Sequence, residues 1–483
     1  MKMKNIYIKF KAILVILIFF QGCDMDLDIN TDPDLLAPSD IPISAQLPTS
    51  MTGLAAASGT YFAIPGGLWS QFFTQSAVAN QYRVIDDYSM TNSSALVTDG
   101  WSQIYDALTD IRNVQALSLE QENWNYYLIS TTLEVYAFQL LADFYEDAPY
   151  VEANDPNIIN PVFNTSEEIY DLMTAELVSA LSKNLADSPV DNVPGDDDFI
   201  FSGDMDKWTQ FANTLLLKVY LRQSNARPTV AQNGITSLIN SGASFLDEAA
   251  AITQFVDEDS RSNPLYENER RQLNVGTNLR ASSTLGTYLQ RNADTRLAEY
   301  FDGNNFQEQG DFEDGSADAS LPILNATDPF YFMTKAESKF IQAEARVRYM
   351  SGSGAQTLYE DGVSAAFERW GLDGSTFIAG NYAYPNGTDE ENIEAIILQK
   401  WVDLFPGCGH ESFIEQNRTG YPSVSSVPTT DLSYTPGQLT YSVEGTTGGD
   451  FPRRFEYPSD ELQTNTNAPT TIIDITEKTW YAN

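Results

Sequence analysis

From Ile129 the apolar residues recur at Leu133, Tyr136, Leu140 and Phe144, in steps of four and three that trace one face of a helix. The same stepping returns in Trp208, Phe211, Leu215 and Val219, in Ala336, Phe340, Ala343 and Val347, and in Ile393, Ile397, Trp401 and Leu404. This recurring stripe constrains the fold more than any other feature, because each such helix must find a neighbour to cover its apolar face. Small residues such as Ala137, Ala142, Ala343 and Ala345 fall where neighbouring helices could approach closely.

Trp101, Ile129, Ile169 and Trp208 head successive helical stretches at spacings of 28, 40 and 39 residues. That is loosely the period of tetratricopeptide units with insertions, although no unit carries the full consensus. The expected class is mainly α: a superhelix of tetratricopeptide-like helix pairs with long inserted loops. The insertions, rich in Gly, Pro, Asn, Asp and aromatics, run over residues 80–98, 187–205, 256–280, 301–330, 373–390 and 420–470. Loops this long in a compact domain are usually functional or disordered, and 25 Tyr with 26 Phe argue against disorder.

The N-terminus reads differently. Lys2, Lys4, Lys9 and Lys11 precede an unbroken apolar run, Ala12 to Phe20, too short to span a bilayer but suited to the core of a secretory signal. Gln21-Gly22-Cys23 then closes the run in a way that resembles the lipobox of bacterial lipoproteins, with Phe20 where an aliphatic residue is usual. The resemblance implies lipidation of Cys23. Asp24, Asp26, Asp28, Asp32 and Asp34 follow as a solvated acidic tether. The expected organisation is a signal peptide over 1–22, a lipidated tether over 23–40, and one helical domain over 41–483. Only one other cysteine exists, Cys408, so lipidation of Cys23 would leave no internal disulfide.

Charge and missing motifs exclude several function classes. The net charge is −40, and −44 from Cys23 onward, a field that repels phosphate backbones and argues against nucleic acid. The single histidine, His410, begins a zincin-like pair with Glu411, but position 414 is Ile, so a second ligand is missing. No GxSxG, P-loop or GxGxxG occurs. With no His/Cys cluster either, the expectation is a binding protein and not an enzyme.

An ordered set of motifs then carries a family resemblance. Leu141-Ala142-Asp143-Phe144-Tyr145-Glu146-Asp147-Ala148-Pro149-Tyr150 closes one helix. Asn292 to Leu297 reads NADTRL, with Thr295 where Pro is usual, and Lys335 to Ala345 forms a repeat helix. Gln399-Lys400-Trp401, Gly409-His410-Glu411, Asn417-Arg418-Thr419-Gly420, Pro452-Arg453-Arg454 and Tyr457-Pro458 with Glu461 follow in order. The set resembles the SusD/RagB family of nutrient-binding outer-membrane lipoproteins. The resemblance implies a protein anchored in the outer membrane, facing the cell exterior, that captures a nutrient and caps a TonB-dependent β-barrel transporter. Read as physical chemistry, Arg418, Arg454, Glu411 and Glu461 suit buried charge-assisted pairs better than an anionic ligand.

The nutrient is expected to be an oligosaccharide, with a peptide as the rival, because loop aromatics can stack on sugar faces while amides and carboxylates meet the hydroxyls. The resemblance implies that two loops form the site. One offers Asn80, Gln81, Tyr82, Arg83, Asp86, Asp87 and Tyr88, followed by Trp101; the other offers Asn263, Tyr266, Glu267, Arg270 and Arg271. Tyr82, Tyr88, Trp101, Tyr266 and Arg271 are the expected ligand residues, although Trp101 heads a helix and competes for a core role. No cofactor is expected. Calcium is a side candidate at Asp302 to Asp314 and at Asp196-Asp197-Asp198, but neither run has EF-hand spacing and a solvated acidic loop is the simpler account. Two further readings stand beside these: a non-binding structural surface lipoprotein, and a hydrolase built on an unrecognised acid pair.

Overall fold

A computed structural model describes residues 41–272 and 278–482. The expected signal peptide, lipidated Cys23 and acidic tether lie outside the described residues. Residues Ile43–Asn483 form one compact unit. It opens with α1 (Ile43–Ala57), runs through a π-helical turn (Ser58–Phe62) and continues as α2 (Ala63–Trp69). Next come α3 (Ala95–Glu120) and α4 (Trp124–Phe144), then α5 (Ser166–Leu181), then α6 (Met205–Arg222) and α7 (Pro228–Asn240). The second half holds α8 (Ser283–Arg291), α9 (Lys335–Tyr349), α10 (Ala355–Glu368), α11 (Asp389–Asp403) and α12 (Gly409–Thr419).

Short turns join α3 to α4, α6 to α7 and α9 to α10, and each pair packs side by side. This is the mainly helical, tetratricopeptide-like architecture expected. Strands are few and come as antiparallel ribbons: β1 (Phe73–Gln75) with β5 (Leu279–Ala281), β2 (Ala148–Pro149) with β3 (Phe163–Asn164), and β4 (Ala250–Ile252) with β6 (Phe330–Met333). Each ribbon staples a long insertion back onto the helices.

Local chemistry explains the helix ends. Thr165 and Glu168 form a capping box at α5, Thr388 and Glu391 another at α11, and Asp204 accepts two backbone N–H groups at the start of α6. The four residues that head the stretches, Trp101, Ile129, Ile169 and Trp208, are all buried, as are Ala137, Ala142, Ala343 and Ala345. The tightest helix approach lies elsewhere. A Cβ on Gly66 would sit 2.3 Å from the backbone nitrogen of His410, and one on Gly409 would sit 2.3 Å from that of Gly67. So α2 and α12 touch backbone to backbone, and only glycine permits it.

Most of the motif residues converge on a buried ionic core. Arg222 of α6 donates to Asp143 at 3.1 Å, to Glu411 at 2.9 Å and to Glu415. Lys400 reaches Glu411 at 2.9 Å and Glu415 at 3.4 Å, while Lys218 lies 3.3 Å from Glu411 and 3.5 Å from Glu337. Arg418 makes 2.6 Å bonds to both Glu344 and Glu415. Burial works against the Glu415 charge, yet Arg418, Lys400 and Arg222 hold that carboxyl well below the usual range. Asp294 and Arg296 pair bidentately nearby, with the guanidinium 4.1 Å from the Phe367 ring centre. Arg454 bonds Glu146 and the Tyr145 carbonyl, which ties the C-terminal segment to the end of α4. Arg418 and Arg454 are therefore structural, as their position in the motifs suggested. Glu461 stands apart: it takes Asn465 at 2.8 Å and no cation.

Candidate functional site

The two insertions expected to form the site do meet. β1 and β5 pair with Phe73 opposite Ala281, and this draws residues 76–88 against 263–272 and 278–281. Tyr82 is the joint: its hydroxyl donates to Glu269 at 3.0 Å and accepts from Asn268 at 3.0 Å. Glu269 in turn takes the backbone N–H groups of Asn278 and Leu279, both at 3.0 Å.

That same joint overturns the expectation for three rings. Tyr82 is 1% exposed, Tyr88 2% and Trp101 6%, so none offers a face for a sugar to stack on. Tyr88 lies against Tyr441 and Phe451 from the 420–470 insertion. Trp101 packs edge-on against Tyr145 at 4.9 Å and parallel to Phe163 at 6.0 Å. Long-range contacts cover all three. Tyr266 and Arg271 remain half-buried, with the guanidinium 5.5 Å from the Tyr266 ring centre. The Arg271 charge is engaged by Asp257 and, at 3.6 Å, by Glu267.

Beside this pair runs a groove of about 770 Å³. One wall is a stripe of small residues on α1 and its π turn: Thr49, Thr52, Gly53, Ala56 and Thr60. Their spacing places them on the helix face opposite the buried Leu47, Met51 and Leu54. Phe199 and Phe255 supply half-exposed rings, and Gln254, Asn268 and Gln272 supply amides. Two π-helical turns, Ser58–Phe62 and Glu267–Gln272, both border the groove, and such turns are frequent at functional sites. Gly59 lets the walls close up, since a Cβ there would lie 2.9 Å from Pro264.

The chemistry on offer is aromatic faces beside mostly neutral donors and acceptors, with Arg261 and Glu267 the charged members, which suits a ligand of rings and hydroxyls. Sequence reasoning missed the groove. Phe199 and Phe255 are lone aromatics inside polar insertions, and the α1 stripe is marked only by being unusually small. Several carboxylates of the acidic runs hold their own loops. Asp198 accepts the Trp208 indole N–H at 2.7 Å and the backbone N–H groups of Ile200, Phe201 and Gly203, and Asp302 accepts that of Leu321. No group of three or more His, Cys, Asp or Glu suited to a metal occurs among the described residues. Burial holds the His410 imidazole down at about 3, and its Nε2 faces the Tyr136 hydroxyl at 3.2 Å. Among the described residues no helix is long and apolar enough to cross a membrane.

No curated protein matches the sequence. Solved structures match the fold at low identity. A SusD homolog from Bacteroides uniformis is 24% identical with a TM-score of 0.71, covering 91% of this chain and 99% of its own. A chitin-binding SusD homolog from Flavobacterium johnsoniae is 21% identical with a TM-score of 0.71, again over 91% and 99%. A second chitin-binding protein is 21% identical with a TM-score of 0.72, over 91% of this chain and all of its own. A family model described as starch-binding and associating with the outer membrane matches residues 56–458, and by that match the chain belongs to the SusD-like family.

Proposed function

We propose that this chain is a lipid-anchored, outward-facing receptor of the outer membrane that binds a glycan without cleaving it and caps a TonB-dependent β-barrel transporter. The observation that carries the reading is the groove beside Tyr266, where Phe199 and Phe255 stand among amides and hydroxyls. The ligand-binding role of its structural neighbours, two of them chitin-binding, supports a glycan over a peptide. The buried, neutral His410 and the ion-paired carboxylates Glu411 and Glu415 speak for binding over catalysis.

Calorimetric titration with chito- and malto-oligosaccharides, and with peptides of similar length, tests the ligand. Saturable glycan binding that weakens in Phe199→Ala and Phe255→Ala is the expected result; binding of peptides alone overturns it. The anchor is tested by Cys23→Ala, which should release the protein from membranes or leave the precursor uncleaved. Acyl chains found on the mutant by mass spectrometry would remove the lipoprotein reading. The partner is tested in mild detergent at native expression, where a large β-barrel should co-purify; recovery of the monomer alone counts against a capping role.

A further inference from the structure

The polar groups of the groove are not equally ready for a ligand, and most are engaged by their own loops. Thr52 gives its hydroxyl to the Pro48 carbonyl at 2.8 Å, Ser262 gives its own to Glu267, and Arg261 pairs with Glu258 at 2.5 Å. Gln254 donates to the Phe199 carbonyl at 3.1 Å and accepts the Thr253 N–H at 3.1 Å, so both ends of its amide are in use. Thr49 and Gln272 are exposed, and a ligand would have to order them at an entropic cost.

Asn268 differs from all of these. It is half-buried in the groove wall, and its amide is held from behind. One oxygen of the buried Glu269 carboxylate accepts the Asn278 and Leu279 N–H groups, and the other takes the Tyr82 hydroxyl proton at 3.0 Å. Tyr82 has one proton and has given it to Glu269, so its oxygen can only accept. Asn268 therefore turns Nδ2 toward it, at 3.0 Å, and this decides which end of the amide is which. Oδ1 accepts no hydrogen bond among the described residues, yet it is not one of the orphaned atoms sealed away from solvent. It is an open acceptor whose orientation is set by a buried chain of two side chains.

We infer that Asn268 sets specificity in the groove by accepting one hydroxyl hydrogen of a bound glycan on Oδ1, with Tyr82 and Glu269 as its positioning residues. This rests on the reading of the groove as the glycan site. A freely turning amide can meet a donor or an acceptor and tells them apart poorly. A preset acceptor meets only a donor and needs no reordering when the ligand arrives. A ring with a hydroxyl at that point is selected over one with hydrogen or an ether there.

The test is calorimetric titration of the full chain with chitotetraose and maltotetraose, with melting recorded on each variant and affinity expressed per folded molecule. Asn268→Ala should weaken the tighter glycan about five- to tenfold. Tyr82→Phe keeps the buried ring but frees the amide, and should weaken it about threefold. The double variant should bind no worse than Asn268→Ala alone, because a positioning residue has nothing left to position. Monodeoxy analogues of the same glycan should include one whose affinity for the native protein falls about five- to tenfold and is then indifferent to Asn268→Ala. Unaltered affinity in a folded Asn268→Ala, with Phe255→Ala still weakened, overturns this inference and leaves the groove as the site. Additive losses in the double variant overturn the positioning role of Tyr82. If the native protein binds neither glycan, or if neither Phe255→Ala nor Asn268→Ala weakens binding, the reading of the groove falls together with this one.

Discussion

The ionic core and the groove treat polar side chains in opposite ways. In the core, Arg222, Lys400, Arg418, Glu411 and Glu415 are almost wholly buried, and each charge has two or more opposite partners. In the groove the polar groups are mostly neutral, largely half-exposed or exposed hydroxyls and amides beside two rings, with Arg261 and Glu267 the charged exceptions. Charges locked to one another fix where helices sit but have nothing left for a ligand. Neutral groups near solvent cost little to leave unpaired and are ready to exchange water for a sugar hydroxyl. The motifs that identify the family belong almost entirely to the first region, so they report the scaffold and say little about the nutrient.

The strongest way to break this contrast is inside the core. Glu415→Ala would leave Arg418, Lys400 and Arg222 short of an anion in a buried setting, at a cost of about 3–5 kcal/mol. Chemical denaturation should show that loss, while ligand affinity per folded molecule stays unchanged. A simultaneous loss of affinity would show that the two regions are not independent. Next in size is Tyr82→Ala, which empties a buried ring site and removes one donor from Glu269, for about 3 kcal/mol of stability. Its melting temperature should therefore fall markedly, and an unchanged one would return Tyr82 to the ligand surface.

The carboxyls should respond to pH with either sign according to their partners, and even in the core burial raises Asp143 to about 6 and raises Glu337. Glu411, Glu415 and Glu344 lie beside cations that hold their carboxyls low against burial, so their stabilisation is present at neutral pH and is lost as pH falls below the unfolded carboxylate range. Asp86, beneath the loop side, has only neutral donors, namely Thr74, the Gln75 N–H and Gln309, and burial pushes it up to about 6. Burial raises Glu269 as well. Those groups favour the protonated form in the fold, so their contribution is fully present below the unfolded value and is lost as pH rises through about 6. Stability should peak near about pH 5, on the order of 2 kcal/mol above its value at pH 7.5, and fall steeply below about pH 3.5. Denaturation midpoints across that range check it; a monotonic rise from pH 5 to 7.5 would remove the raised carboxyls from the account.

In the groove itself the effects are smaller and fall on binding. Phe255→Ala should cost about 1 kcal/mol of glycan affinity, a five- to tenfold weakening by calorimetry, with little change in melting. Smallest is Arg271→Ala. Its half-exposed charge is spent on Asp257 and Glu267, so both stability and affinity for a neutral glycan should move by less than about 1 kcal/mol. A tenfold loss of affinity there would mean that the ligand carries negative charge.

How much of this was legible beforehand follows from where the information sits. The helices announce themselves locally: Trp208, Phe211, Leu215 and Val219 need only the 3.6-residue period to be recognised, and all four are buried. Tyr82 does not. Its neighbours Asn80, Gln81 and Arg83 are polar, and what buries it is a carboxylate 187 residues away. The same distance hides the groove, whose lining comes from residues 49–60, 199, 252–255 and 260–272. Arg418 and Arg454 were readable as structural because side chains in charge-rich motifs at helix ends usually pair. Their partners were not, since Glu344 and Glu146 lie 74 and 308 residues from them.

The backbone contact between Gly66 and His410 also has a consequence for the order in which the chain acquires its shape. The residues that close the core around α2 and Arg222 are the last quarter of the polypeptide: α12 with Glu411 and Glu415, Thr440 accepting from Gln71, and Phe455 donating to the Phe144 carbonyl at 2.7 Å. A chain emerging N-terminus first thus carries an incomplete core, with Arg222 lacking two of its three anions, until nearly all of it has been delivered. Such a high separation between contacting residues slows folding and lengthens the time that apolar surface stays open. The protein should depend on holding factors along its route, and truncation anywhere before residue 420 should leave a collapsed, protease-sensitive chain and not a smaller version of the same domain.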